Sequence, residues 1–213
     1  MEALVIGATG LVGKTLTQQL LDSNYYTSVR VLVRRKTFTP HPKLHEVVVD
    51  FDSLADCFCV ADHVFCTLGT TIKRAGSKQA FRKVDYEYPL TFAKKCLQGG
   101  SRVFCLVTAM GADSKSLIFY NQVKGNIEDA VTELPIPQIG IFRPSMLLGN
   151  REEHRLGESI GQRVMEIFDF LIPAKYKAIS VDKVARAMVL FAQQQQLGVT
   201  IVESDAMLHT HLH

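Results

Sequence analysis

The sequence predicts an α/β fold, a doubly wound parallel sheet with helices on both faces. Two observations lead to this class. The strand candidates are short and almost wholly apolar, which is typical of strands buried on both faces of a sheet. They alternate with amphipathic stretches of helical spacing, and a glycine turn joins the first strand to the first helix. We therefore expect a single domain over residues 1–213, with no linker or internal repeat.

As far as Phe142, the predicted elements are short strands and amphipathic helices that mostly alternate. Apolar runs between turn signals predict strands over residues 3–6, 29–33, 46–49, 62–66, 102–107, 139–142 and 199–202. Apolar residues at helical spacing predict helices over residues 11–21, 77–97, 115–134, 158–171 and 182–195. Because the alternation is lost after Phe142, we expect residues 144–180 to form a small lid over the strand ends.

The distribution of charge disfavours a nucleic-acid partner. The 24 basic and 21 acidic residues are scattered and leave a net charge of +3, whereas a phosphate-backbone binder carries a clustered basic stripe. No run approaches the roughly 18 apolar residues of a membrane span, and the N-terminus lacks the basic region and cleavage site of a secretory signal. We expect a cytoplasmic protein without a membrane span.

The cysteines and histidines do not form a metal-site pattern. Cys57 and Cys59 are separated by one residue, and His209, His211 and His213 lie together at the chain end. Structural zinc sites combine a C-x₂₋₄-C pair with a second pair of ligands. We expect no metal site. The five cysteines are odd in number and lie in apolar or helical stretches, so we expect reduced thiols.

A glycine-rich loop, GATGLVG at residues 7–13, lies where the first strand turns into the first helix. At such a position backbone N–H groups and the helix dipole can hold a pyrophosphate. Gly7 would permit the tight turn, Gly10 would let the backbone approach the phosphates, and Gly13 would allow close packing of helix on strand. The loop predicts a dinucleotide site, and an ordinary glycine turn is the alternative.

Two arginines, Arg34 and Arg35, end the second predicted strand, about 20 positions after the glycine loop. NAD-binding proteins carry an acidic residue there for the ribose 2′-hydroxyl, whereas arginine accommodates the 2′-phosphate of NADP. A guanidinium can hold that phosphate through two hydrogen bonds. The sequence therefore predicts NADP(H) as cofactor; a solvated basic pair beside Lys36 is the alternative.

Two further strand ends are candidates for the border of the cofactor site. Asp50 closes the third strand, where it could border the adenine or simply form a polar turn. Leu68 and Gly69 follow the fourth strand, where a small residue would let the backbone pass near the dinucleotide. A plain turn explains Gly69 nearly as well.

Tyr120 and Lys124 are four residues apart on one face of a predicted helix, within reach of each other. A lysine cation stabilises a nearby phenolate, so the tyrosine could deliver a proton to a carbonyl while a nicotinamide supplies hydride. A surface pair is the alternative. Their place on the helix after the fifth strand, in a chain with a dinucleotide loop, favours acid–base chemistry.

Together these residues resemble the short-chain dehydrogenase/reductase superfamily, and specifically its atypical members related to the Tat-interacting protein. The resemblance covers most of the chain. It rests on the glycine loop, VRR at 33–35, CTLGTT at 66–71, VTAMGAD at 107–113, YNQVKG at 120–125 and FRPSMLLGNREEHRLGE at 142–158.

The resemblance implies a Rossmann-like fold and an NADP-dependent oxidoreductase that acts on a small carbonyl compound or the matching alcohol. Tyr120 would be the general acid/base, and Lys124 would bind the nicotinamide ribose. The implied cofactor contacts are Thr9, Gly10, Leu11, Val12, Arg34, Arg35, Leu68, Gly69, Tyr120, Lys124, Leu147 and Arg155.

The chain departs from the family at residues 108 and 109. Members usually have a serine pair there, and the second serine is expected to hydrogen-bond the substrate carbonyl. Ala109 cannot do so, which leaves Thr108 as the residue expected to orient the carbonyl. Two alternatives stay open: a nonenzymatic NADPH-binding regulator that acts through a protein partner, and a flavin or quinone reductase that needs no tyrosine acid.

Overall fold

A parallel sheet of seven strands forms the centre of the computed structural model, which describes residues 1–56, 60–148, 177–194 and 196–209. The strands in chain order, with a separate two-residue pair, are β1 (Glu2–Ile6), β2 (Ser28–Val33), β3 (Leu44–Val48), β4 (His63–Cys66), β5 (Val103–Val107), β6 (Gln138–Arg143), β7 (Leu147–Leu148), β8 (Ile179–Ser180) and β9 (Gly198–Glu203). The sheet has the order β3-β2-β1-β4-β5-β6-β9, with every neighbouring pair parallel. The predicted fold class and all seven predicted strands are confirmed.

Helices connect these strands on both faces. They are α1 (Leu11–Asp22), a 3-10 helix (Phe51–Asp56), α2 (Ile72–Ala75), α3 (Lys78–Arg82), a π-helical turn (Lys83–Glu87), α4 (Tyr88–Gln98), α5 (Phe119–Thr132), α6 (Val181–Gln193) and α7 (Ser204–Leu208). The helix predicted over 115–134 begins later than expected, because Asp113 and Ser116 accept backbone N–H groups in two turns before it.

The helix predicted over residues 77–97 is interrupted by the π-helical turn. The Tyr88 N–H donates to the carbonyl of Lys83, five residues earlier. Pro89 follows at the start of α4 and has no N–H with which to continue the ordinary ladder. A single π turn inside a helix is uncommon and often marks a functional position.

The core consists of two apolar layers, one on each face of the sheet. In β1, Ala3 and Val5 belong to the layer that includes α1 and α6, whereas Leu4 and Ile6 belong to the layer that includes α4 and α5. Successive strand residues point to opposite faces, so an apolar strand of this kind is buried on both sides. This burial on both faces explains why the strands predicted from the sequence are almost wholly apolar.

The predicted lid over 144–180 lies largely outside the described residues, and so does the predicted helix 158–171. Of its described ends, Leu147 pairs with Ile179 and Leu148 with Ser180 in the short ladder of β7 and β8. Cys57, Cys59, His211 and His213 also lie outside the described part of the chain. Within the described ranges, no helix is both long and apolar enough to pass through a bilayer.

Candidate functional site

The residues singled out from the sequence gather at the carboxyl edge of the sheet. Gly7 follows β1, Arg34 follows β2, Thr67 follows β4 and Thr108 follows β5. The chain direction across the sheet reverses between β1 and β4, because β2 and β3 lie on one side of β1 and the later strands lie on the other. In open parallel sheets, ligands bind in the crevice at such a switch point.

Close packing explains two of the three loop glycines. Gly7 has a φ of +81°, and a Cβ there would lie 2.6 Å from the carbonyl carbon of Thr67. A Cβ on Gly13 would lie 2.1 Å from the Gly7 carbonyl oxygen. No real side chain tolerates contacts this short against backbone, so the turn of β1 into α1 requires glycine at both positions.

Gly10 lies in a more open environment. A Cβ on it would meet the Gly7 carbonyl oxygen at 3.1 Å, and its next contact is the Thr67 oxygen at 4.0 Å. Gly10 is exposed and is the N-cap of α1, and no side chain caps that helix end. The first turn of α1 also contains no acidic residue. Within α1 itself, the N–H groups and the positive end of the dipole therefore have no negative side chain beside them.

Arg34 and Arg35 are both exposed at the end of β2. Leu32 of β2 is in register with Ile6 of β1, so the arginines follow β2 beside the glycine loop that follows β1. The described residues provide neither guanidinium with a hydrogen bond or an ion pair. Both cations are consequently available to an anion on this side of the crevice.

The segment after β4 is hydrogen-bonded to the end of β1 and passes beside Lys124 of α5. The Thr67 N–H and hydroxyl both donate to the Ile6 carbonyl, at 2.9 and 3.0 Å. A Cβ on Gly69 would lie 3.6 Å from both the Lys124 Nζ and a carboxylate oxygen of Asp85. The Leu68–Gly69 backbone therefore passes directly beside this charged pair.

Lys124 is buried, and its Nζ lies 2.7 Å from Oδ1 of Asp85, which is also buried. Burial disfavours the ammonium, but the charge of Asp85 and the adjacent Tyr120 outweigh burial, and the pKa of Lys124 is raised. Tyr120, one turn earlier on α5, is half-buried, and its ring packs on Phe81 with centroids 5.4 Å apart. The structure thus brings Lys124 beside Gly69, and Tyr120 is close enough to the ammonium to raise its pKa.

Asp85 is the functional candidate that reasoning from the sequence missed. It lies in the π-helical turn, four residues after the buried Phe81, and is itself almost fully buried. A carboxylate on the buried face of a helix requires a partner, and that requirement was the available signal. The identity of the partner could not be inferred, because Lys124 reaches Asp85 only through the packing of α5 on the π-helical turn.

Thr108 lies at the edge of the site, but its hydroxyl is already engaged. Its Oγ1 donates to Oε1 of the buried Glu128 at 2.5 Å, and Glu128 also accepts from Arg143 Nε at 3.1 Å. In the part of the chain that the structure describes, no bond joins this hydroxyl to Tyr120 or Lys124. A substrate carbonyl needs a donor, and the one hydroxyl hydrogen of Thr108 is given to Glu128. The arrangement does not support the expected role of Thr108 as the residue that orients the carbonyl.

The remaining predicted positions are dispersed. The carboxylate of Asp50 accepts the Asp52 N–H at 2.9 Å and the Ser53 hydroxyl at 3.3 Å, so it closes the turn before the 3-10 helix. Thr9 is exposed in the glycine loop, and Leu147 in β7 packs against the core layer of α1 and α6. Arg155 lies outside the described residues.

Comparison with known proteins identifies the family. Residues 7–133 match a family model described as NAD(P)H-binding, a range that includes the glycine loop, Asp85 and Lys124. The chain belongs to this NAD(P)H-binding family. It is also 35% identical to the rat (Rattus norvegicus) protein HTATIP2 over 212 residues, which cover 96% of this chain and 87% of the relative. The resemblance to atypical short-chain dehydrogenase/reductases is thereby confirmed.

Solved structures of similar fold include complexes with NAD and a complex with NADPH. MoeE5 in complex with UDP-glucuronic acid and NAD has a TM-score of 0.72 at 18% identity, covering 95% of this chain and 75% of that one. Human epimerase family protein SDR39U1 with NADPH has a TM-score of 0.63 at 21% identity, covering 94% and 73%. At these identities the likeness establishes the Rossmann-like fold of this NAD(P)H-binding protein and does not choose between the two dinucleotides.

The expectation of a cytoplasmic protein is wrong. Protein FMP52 of Candida albicans, named mitochondrial, is 32% identical over 203 residues, which cover 91% of this chain and 89% of the relative. FMP52 proteins of Eremothecium gossypii and Debaryomyces hansenii carry the same description. The expectation rested on the lack of a secretory signal and a membrane span, and neither criterion detects mitochondrial import, which depends on a different kind of segment.

Proposed function

We propose that this NAD(P)H-binding protein is an NADP(H)-dependent oxidoreductase acting on a small carbonyl compound or the matching alcohol. The observation that carries the proposal is the buried Lys124 beside Gly69, with Tyr120 one turn earlier on the same helix, at the same sheet edge as the glycine loop. A dinucleotide laid across this edge from the first helix toward α5 would bring its reactive end to a proton donor.

The glycine loop fits the pyrophosphate. Gly10 leaves open space where a side chain would stand, and the N-terminus of α1 has neither a side-chain cap nor an acidic residue. Backbone N–H groups and the helix dipole favour phosphate at such an end. Thr9, Leu11 and Val12 line the same turn and would complete the contact.

Arg34 and Arg35 support NADP(H) over NAD(H). They are exposed beside the glycine loop, and no acidic side chain of the described residues neutralises them. The 2′-phosphate of NADP is the part of the cofactor that such guanidinium groups recognise. Asp50, whose carboxylate closes its own turn, contributes only to the wall on the adenine side.

Tyr120 acts as the acid in carbonyl reduction. When bound, NADPH supplies the hydride that adds to the carbonyl carbon. The Tyr120 phenol donates its proton to the carbonyl oxygen, and an alcohol is formed. Lys124 remains an ammonium and stabilises the resulting phenolate, and it would donate to the nicotinamide ribose hydroxyls of the bound cofactor. In alcohol oxidation the same groups work in reverse, with the phenolate taking the proton.

One observation favours the nonenzymatic alternative, an NADPH-binding regulator that works through a protein partner. Ala109 has no hydroxyl, and the hydroxyl of Thr108 donates to Glu128. The described residues therefore offer no evident second donor for a substrate carbonyl beside Tyr120. A regulator would keep the dinucleotide contacts and lack turnover.

Titration and turnover separate the two functions. NADPH and NADH are titrated by fluorescence, and then aldehydes, ketones and quinones are screened with NADPH by the loss of nicotinamide absorbance. The oxidoreductase proposal expects tight NADPH binding, turnover of at least one carbonyl compound, and loss of that turnover in Tyr120→Phe. Tight binding without any turnover supports the regulator. Turnover that survives in Tyr120→Phe supports flavin or quinone reduction without this acid.

We also propose a mitochondrial location, which the naming of the FMP52 relatives supports. Fractionation of cells that express the chain with a C-terminal tag tests it. Recovery of the tagged protein with mitochondrial markers is expected, and recovery with cytosolic markers alone would overturn the proposal.

A further inference from the structure

A buried carboxylate joins two separate parts of the candidate site. Asp85 is 1% exposed, and its Oδ1 lies 2.7 Å from the Nζ of Lys124. Its Oδ2 accepts the Thr70 N–H at 3.0 Å. One side chain thus binds both the lysine of α5 and the backbone of the segment that follows β4.

We infer that Asp85 is a positioning residue that holds Lys124 and the segment of residues 68–70 in place for the nicotinamide half of the dinucleotide. This inference rests on the proposed function, since it assumes that the crevice receives NADP(H). It assigns a role to a residue that belongs neither to the glycine loop nor to the tyrosine–lysine pair.

The π-helical turn sets the direction in which Asp85 points. Residues in an α-helix are separated by roughly 100° around the axis, so the extra residue of a π turn shifts the facing of its side chains relative to the flanking turns. Phe81 before the turn and Phe92 after it are both fully buried. The turn therefore lets Asp85 meet Lys124 while the helix remains anchored on both sides.

The charges around Lys124 leave Asp85 as its counterion. The groups that face the ammonium are Asp85 from the π-helical turn, Cys66 from β4 and Tyr120 from α5 itself. Burial raises the pKa of the Cys66 thiol to about 12, so it is neutral. Burial raises the pKa of Asp85, while the Lys124 ammonium and the Thr70 N–H act against that rise. Among these groups of the described chain, Asp85 is the carboxyl group that lies against the lysine, at 2.7 Å from its Nζ.

The pair gives the crevice two chemically different ends. Beside Gly69 the positive charge is balanced, which suits the uncharged ribose hydroxyls and nicotinamide. At the end of β2, Arg34 and Arg35 have no described counterion, which suits a phosphate. This difference favours one orientation of a 2′-phosphorylated dinucleotide over the reverse.

The test uses Asp85→Asn, which keeps the shape of the side chain and an oxygen for the Thr70 N–H but removes the charge. The dissociation constant for NADPH is expected to rise by about tenfold to a hundredfold, the loss expected when the hydrogen bonds of a charged donor to the ribose hydroxyls are weakened. Adenosine 2′-monophosphate, which occupies only the arginine end, should bind the variant as it binds the parent. A general structural defect would weaken both ligands.

The pH profile provides a readout that a purely structural role would not change. In the parent protein the pKa of Lys124 is raised, so the ammonium and NADPH affinity should persist well above neutral pH. In Asp85→Asn the buried ammonium has no counterion, and burial then lowers its pKa. NADPH affinity in the variant should therefore decline at a lower pH than in the parent. Identical affinities and identical pH profiles for parent and variant would overturn the inference.

Urea unfolding of the protein without cofactor tests the Asp85–Lys124 pair separately from the proposed function. Removing one member of a buried pair leaves the other charge uncompensated. The double variant Asp85→Asn/Lys124→Met should therefore unfold at a higher urea concentration than either single variant, and this cycle also serves if Asp85→Asn alone folds poorly. Additive effects would refute the pairing itself. A parent that binds neither NADPH nor NADH, with the cycle still non-additive, would refute the proposed function and the role of Asp85 in cofactor placement, and would leave only a structural ion pair.

Discussion

Substitution by alanine should affect folding stability at Gly13 and NADPH affinity at Gly10. In Gly13→Ala the new Cβ would lie 2.1 Å from the Gly7 oxygen and 2.8 Å from the Ala8 Cα. Alanine inside a helix normally gains about 1 kcal/mol over glycine. Both contacts here are with backbone, however, so α1 must move away from β1 by roughly an ångström, and overpacking of this kind costs about 1 to 3 kcal/mol or more. The clash therefore exceeds the gain in propensity.

In Gly10→Ala the Cβ meets one backbone oxygen at 3.1 Å, which a shift of a few tenths of an ångström relieves. The φ of −76° and ψ of 175° suit alanine, and the less favourable N-cap costs at most about 1 kcal/mol. The methyl group would, however, occupy the space proposed for the pyrophosphate. We expect a stable variant that binds NADPH much more weakly.

Urea unfolding without cofactor and fluorescence titration with NADPH measure the two effects separately. Gly13→Ala should lower the free energy of unfolding clearly, whereas Gly10→Ala should lower it only slightly and lose most of the affinity. Gly76→Ala is a useful control for surface glycines, since a Cβ there meets nothing within 4 Å, although its positive φ adds strain of its own. Normal NADPH binding by Gly10→Ala would show that the phosphates do not lie at this loop.

Three further predictions concern the cofactor, the acid and a buried histidine. Replacing Arg34 or Arg35 with alanine should weaken NADPH binding by about tenfold to a hundredfold for each charged hydrogen bond to the 2′-phosphate that is removed, with NADH binding little changed; equal affinities for NADPH and NADH in the parent would contradict the assignment. Tyr120→Phe keeps the ring packed on Phe81, so NADPH affinity should stay within a few fold while turnover of any identified carbonyl substrate falls by about 10² to 10⁴, and unchanged turnover would exclude this acid. Burial lowers the pKa of His63 to about 4, so between about pH 6.5 and 4 the unfolded chain binds a proton that the folded protein does not. Stability is full above this window and should fall by about 3 kcal/mol through it, of which about 2 kcal/mol is lost by pH 5. His63→Phe should reduce the difference in the free energy of unfolding between pH 7 and pH 5, measured with urea.

Local sequence patterns were sufficient to predict the strands of the sheet. Each strand is an apolar run with turn residues on both sides, and burial on both faces makes such runs almost free of polar residues. The glycine loop was also visible, because the tight turn and close packing depend on residues that are adjacent in the sequence. The helix over 77–97 was predicted as regular, since its spacing is helical on both sides of the π-helical turn and Pro89 was the only local sign of the irregularity.

Pairings between residues that are distant in the sequence could not be predicted from it. Asp85 and Lys124 meet because α5 packs on the π-helical turn, and Thr108 meets Glu128 because α5 also covers the end of β5. The sequence suggested a hydroxyl at residue 108 for the substrate, but the buried carboxylate that accepts its hydrogen lies 20 residues later. Such partners become evident only when the order and packing of the elements are known.

The position of β1 in the middle of the sheet has a consequence for the order of folding during synthesis. β1 precedes both of its partners, β2 and β4, in the chain. It ends at Ile6, and β4 begins 57 residues later at His63. Until β4 has left the ribosome, the β4-facing edge of β1 cannot form its native ladder. We therefore expect the nascent chain, until β4 has been made, to carry an apolar strand with one open edge, the kind of surface that chaperones shield from pairing with other chains.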